Sequence, residues 1–191
     1  MPLAILLTMI FGGTGIVWLA IIFELPLKDG SPTGAAWVRG SWSNIAKGLG
    51  TGISVSLLWL GLLSGFSHGA QNEEDIGPLT RMGITPGFSQ IVWVLVALVF
   101  APPIEELLFR GIFYGGYRKS FGPFVATVTT TTIFVLLHFN EFIHQPLAVF
   151  AIASLALAAL WWRLHSNAIG PAIAAHFGYN AVLAVTVIFA S

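Results

Sequence analysis

Six side chains stand out in an otherwise oily chain: Glu105, Glu106, Arg110, His138, His176 and Asn180. Glu106 and Arg110 are four apart, so on a helix they share a face and can pair. Glu105 then projects about 100° away from its neighbour. The pairing leaves it without a counter-ion on its own face. A desolvated, unpaired carboxylate can act as a base near neutral pH. His138 follows Phe134 by one helical turn. His176 and Asn180 are again four apart and point to one side of a helix, with Gly178 between them permitting close approach of a neighbour.

Each group taken alone has a plainer explanation. Acids just after Pro102-Pro103 suit the positive end of a helix dipole. A His, or a His and an Asn, in an apolar helix can be an interhelical hydrogen bond. Joint occurrence favours chemistry, because three separate apolar stretches each carry strongly polar groups. Facing inward together, they supply a carboxylate, two imidazoles, an amide and an ion pair. That inventory suits activation of water with stabilisation of an oxyanion. It equally suits a divalent metal such as Zn, held by Glu105, His138 and His176. No H-E-x-x-H pair lies on one helix, so the ordinary zinc-protease spacing is absent.

The elements that must carry these groups follow from composition. Of 191 residues, 56% are hydrophobic and 8% charged, against roughly 25% charged in a soluble domain. Mean hydropathy is +0.85. Lipid is therefore the solvent for most of the surface, and a charge at mid-membrane, costing at least ~2.5 kcal/mol, needs a reason to be there. Six stretches are long enough to span: about Leu3 to Phe23, Ala46 to Ser67, Ser89 to Tyr117 with an expected kink at Pro102-Pro103, Pro123 to Phe139, Pro146 to Leu164, and Ile169 to Ala190. The expected fold class is all-α, a polytopic transmembrane bundle of about six spans forming one domain over residues 1–191. The first stretch has no Lys or Arg ahead of it and reads as a retained helix rather than a signal peptide.

Loop charges set the expected orientation. The odd loops hold Lys28, Arg39, Lys47, Arg118, Lys119 and Arg163, whereas the even loops hold Arg81. The odd loops are then cytosolic, both termini lie outside, and the polar cluster sits in the membrane nearer the cytosolic side. Formal net charge is zero, so neither nucleic acid nor another strongly charged partner is implied. There is no Cys, which excludes disulfides and thiolate metal sites. His68 and His144 fall in loops, and His165 ends a helix beside Arg163. Trp161 and Trp162 fit an interfacial belt. The run Thr129 to Thr132 is tolerable because each hydroxyl can bond back to the preceding turn.

The ordered set Glu105-Glu106-x-x-x-Arg110, Phe134-x-x-x-His138 and His176-x-x-x-Asn180 resembles the motifs of the CAAX prenyl protease and bacteriocin-processing family, also called Abi or CPBP. The local context, Phe109-Arg110-Gly111-Ile112-Phe113-Tyr114 and Ile169-Gly170-Pro171-Ala172-Ile173, is similar too. The resemblance covers about residues 102–184, a catalytic core. It implies an all-helical intramembrane endopeptidase acting on a membrane-associated peptide or protein. Glu105 would activate water with help from His138. His176 and Asn180 would stabilise the oxyanion, and Glu106 with Arg110 would be a structural or substrate-positioning pair. A metal-free, glutamate-activated water is favoured over a metal. The short chain suits a prokaryotic cytoplasmic-membrane member. A small transporter or proton relay, and a non-catalytic immunity-type partner, are the competing readings.

Overall fold

Two backbone facts shape the centre of the chain. Pro102 and Pro103 remove two amide donors from the middle of an apolar run, and Gly122 supplies a backbone angle that other residues avoid. The computed structural model describes residues 28–66, 83–139, 143 and 145–189. Among these the order is α1 (Trp42–Phe66), α2 (Phe88–Leu95), a π-helical segment Val96–Phe100, α3 (Ala101–Glu106), a second π segment Leu107–Phe113, α4 (Tyr114–Leu137), α5 (Ala148–Ser166) and α6 (Gly170–Phe189). No strand occurs among the described residues, as the composition led one to expect.

The proline pair does not end the helix. Instead the turn before it widens, and the Ala101 amide reaches back five residues to the Val96 carbonyl. A π turn of this kind absorbs the missing donors without breaking the rod. The helix reverses later, at Gly122, whose φ of 82° and ψ of 174° lie outside the helical region, with Pro123 immediately after. Phe109 and Phe134, 25 residues apart, have ring centroids 5.2 Å from one another. In a straight helix that separation would be ~37 Å, so the second limb runs back along the first.

Among the described residues four helices are long and apolar enough to cross a membrane: Trp42–Leu62, Phe88–Leu137, Ala148–Ser166 and Gly170–Phe189. The second of these contains both limbs of the Gly122 reversal, so the third and fourth stretches of the sequence reading form one broken helix. The stretch Leu3 to Phe23, the acidic loop with Glu73, Glu74, Asp75, Arg81 and His68, and His144 lie outside the described residues. The protein is a helical membrane protein. Its surface agrees: Phe88, Phe124, Leu137, Phe150 and Phe189 are exposed, while Glu106, Arg110, Arg163 and His176 are buried.

Helices α1 and α6 approach to backbone contact. A side chain at Gly52 would strike the Ala175 carbonyl, and one at Gly178 would meet the Leu49 carbonyl at 2.6 Å. The spacing Gly48-x-x-x-Gly52 is the small-residue pattern that lets membrane helices pack this closely. Thr130 donates to the Ala126 carbonyl at 2.7 Å, one turn back, as foreseen for the Thr run.

Arg163 departs from the expected picture of a loop charge. It is fully buried and clamps the segment ahead of α1, donating to the carbonyls of Gly30 at 3.1 Å, Ser31 at 2.7 Å and Gly34 at 2.7 Å. The same segment is closed by Ser31, whose amide and hydroxyl both donate to Asp29, at 2.8 and 2.7 Å. Those hydrogen bonds, the hydroxyl's first, hold the Asp29 carboxyl below its usual range. The segment also underlies the second π segment, where Gly111 lies against Trp37. Arg163→Met is expected to lower stability by about 3 kcal/mol, because it strands buried carbonyls. Thermal unfolding in detergent measures this, and an unchanged midpoint would mean that other contacts hold the segment. The tryptophan pair also divides: Trp161 is exposed, while Trp162 is buried and donates to the Thr51 hydroxyl at 3.0 Å. Only the first suits an interfacial belt.

Candidate active site

α3 presents two neighbouring carboxylates on different faces. The four-residue spacing does what helical geometry demands: Arg110 Nη1 donates to Glu106 Oε1 at 3.0 Å. Both partners are buried, with side-chain exposures of 4% and 0%. Such a pair loses much hydration, and aromatic surface replaces part of it. The Arg110 guanidinium stands 4.2 Å from the Phe134 ring centroid, a cation–π contact.

α6 brings His176 to the same carboxylate. Its Nδ1 lies 2.9 Å from Glu106 Oε1. An ionised carboxylate only accepts hydrogen bonds, so with Glu106 ionised Nδ1 carries the proton and the ring turns its Nε2 outward. That Nε2 faces Glu105 Oε2 at 3.9 Å. His138, at the end of α4, is fixed in the same sense. Its Nδ1 lies 2.8 Å from the Phe134 carbonyl, which again can only accept. Its Nε2 then also points at Glu105 Oε2, at 3.8 Å.

Phe134 is the hub of this arrangement. Its ring packs at 4.7 Å from the His138 ring and edge-on at 5.9 Å from the His176 ring, and Phe109 meets it from the α3 side. Glu105, His138 and His176 thus converge, and Glu106 with Arg110 forms the pair behind them. Glu105 Oε2, Glu106 Oε2 and Arg110 Nη2 are buried atoms with no hydrogen-bond partner among the described residues. Glu105 and His138 are the accessible members, at 25% and 28% side-chain exposure. Asn180 shares the face of His176 but is engaged elsewhere, donating from Nδ2 to the Ala97 carbonyl at 2.8 Å. Tyr114 accepts from Arg118 at 2.8 Å.

The sequence did not disclose the contact between His176 and Glu106. No local spacing encodes a pairing across 70 residues. What it did offer was the reason to look, because both residues interrupt apolar stretches. By type, a carboxylate and two imidazoles with anchored second nitrogens suit a divalent metal. Among the described residues, however, no group of three is disposed to hold one.

A family model described as type II CAAX prenyl endopeptidase Rce1-like matches residues 86–182, just over half of the chain. No curated protein and no solved structure matches. The matched stretch runs from the start of α2 into α6 and contains every residue of the converging cluster. The transporter and the non-catalytic readings gain nothing from it.

Proposed function

Since the chain belongs to the Rce1-like family of type II CAAX prenyl endopeptidases, we propose that it hydrolyses a peptide bond of a membrane-associated peptide or protein, using Glu105, His138 and His176 on a water molecule. The observation that carries this reading is the approach of both imidazole Nε2 atoms to Glu105 Oε2, at 3.8 and 3.9 Å. These separations are too long for a hydrogen bond and fall where a water bridges polar groups.

Charge counting assigns the roles. Glu105 and Glu106 contribute two negative charges and Arg110 one positive. One further proton makes the buried cluster neutral, as a low-dielectric site favours. His176, placed between both carboxylates, holds that proton. Its Nε2–H then serves as the donor to the oxyanion. Glu105 stays ionised and takes a proton from water as the water oxygen attacks the carbonyl carbon. The water's second O–H stays intact and donates a hydrogen bond to His138 Nε2, which orients the attacking oxygen. When the tetrahedral intermediate collapses, the proton on Glu105 passes to the leaving amine nitrogen, and the C–N bond breaks. Every proton is accounted for with water as the sole co-reactant.

The test is cleavage of a fluorogenic peptide delivered in nanodiscs. Glu105→Ala, His138→Ala and His176→Ala are each expected to lose at least ~100-fold in rate. If all three cut like the parent, the assignment fails. The same assay checks the metal-free route. Activity is expected to persist in EDTA and in 1,10-phenanthroline. Loss that divalent zinc restores would move the three residues from water activation to metal ligation.

A further inference from the structure

We propose that Asn180 is a positioning residue, tethering the proline-interrupted helix that carries Glu105. In an α-helix the Ala97 carbonyl would accept from the amide of Ala101, but that amide is committed to Val96. In a π turn the donor would be residue 102, which is proline and has none. The widened turn therefore leaves the Ala97 carbonyl without a donor from either helical pattern. A carbonyl without a partner in a membrane interior is costly. The Asn180 amide meets it at 2.8 Å.

The consequence reaches the cluster through α6. This helix grips the broken segment twice, through Asn180 on Ala97 before the prolines and through His176 on Glu106 after them. Pro102, Pro103 and Glu105 lie between the two grips. With one grip removed, the segment pivots at its weakest turn, and the distance from Glu105 to both imidazoles changes. Asn180 thus acts on the reaction through the placement of Glu105, with one of its two amide hydrogens given to the protein's own backbone. The inference rests on the endopeptidase reading for its activity arm only.

A double-mutant cycle between Asn180→Ala and Pro102→Ala, made in the full chain in nanodiscs, separates a tether from a direct donor to substrate. Restoring an amide at residue 102 lets the local backbone satisfy its own carbonyls, so the tether becomes redundant. Asn180→Ala alone is expected to lower kcat per folded molecule about ten-fold, with KM nearly unchanged, and to lower the unfolding midpoint. In the Pro102→Ala background, the loss of kcat should shrink to less than about two-fold and the midpoint shift should largely vanish. Equal losses of kcat in both backgrounds, with no change in midpoint, would overturn the proposal in favour of a donor to the oxyanion. Hydrogen–deuterium exchange over residues 98–108 gives a readout that needs no activity. Faster exchange in Asn180→Ala is expected, and unchanged exchange would overturn the tether even if Pro102→Ala does not fold. Should the parent cleave no peptide, the endopeptidase reading falls, while the midpoints and the exchange data still decide the tether.

Discussion

Glu105→Gln is expected to reduce peptide cleavage by roughly 10²–10⁴ while leaving a folded, monodisperse protein. The two halves of that expectation have different causes. Stability is spared because Glu105 makes little use of its charge within the fold. Its Oε2 has no hydrogen-bond partner among the described residues, and the side chain is a quarter exposed. Gln keeps its volume and shape. Activity is lost because an amide cannot take a proton from water. The amide also turns an N–H donor, where the carboxylate only accepted, towards a point that the His176 Nε2–H already faces. Glu105→Asp sharpens the test. It keeps the charge and shortens the side chain by one methylene, drawing the carboxylate away from His138 and His176. It should recover only part of the rate. Parent-like cleavage by the Gln variant would remove Glu105 from the chemistry and leave the convergence of the two rings without a purpose. Unfolding of the Gln variant, read by thermal denaturation, would show instead that Glu105 supports the fold.

Spacing within one helix was the legible part of this protein. A spacing of four from Glu106 to Arg110 suffices to expect the pair, and the structure has it at 3.0 Å. The same logic isolated Glu105. Polar residues in apolar stretches identified His138 and His176, because lipid makes such residues expensive wherever they have no task. What sequence did not yield depends on the third dimension. The bond from His176 to Glu106 joins α6 to α3. The Arg163 clamp needs a segment folded so that several carbonyls meet one guanidinium, so counting Arg163 among the loop charges misread a buried group. The proline pair predicts a kink, but the widened turn passes the defect to Ala97, and only α6 shows how it is mended. The gap between the stretches ending at Tyr117 and beginning at Pro123 puts Arg118 and Lys119 in a loop. Those residues instead lie within α4, and the reversal falls at Gly122. The glycines at 48 and 52 carried a packing signal in their spacing that goes unnoticed when hydropathy alone is followed.

Glu106 separates scaffold from chemistry, and the expected result depends on whether one or both partners are changed. Glu106→Leu alone strands a buried guanidinium and should cost about 3–5 kcal/mol, enough to deplete folded protein. Arg110→Met alone strands the carboxylate with a similar cost. The double variant Glu106→Leu with Arg110→Met leaves neither charge unpaired. Replacing both members of a buried pair by apolar side chains of similar size is often neutral or stabilising, and the Phe134 ring beneath Arg110 accepts a methionine well. Its unfolding midpoint in detergent should therefore return close to that of the parent. Its cleavage should not. Without Glu106, His176 Nδ1 loses the acceptor that orients the ring and aims its Nε2 at Glu105. A residual rate down by at least ~100-fold at parent-like stability is the expected outcome. If the double variant regains stability and rate together, the pair is scaffold alone, and the His176 ring must be oriented by something other than Glu106.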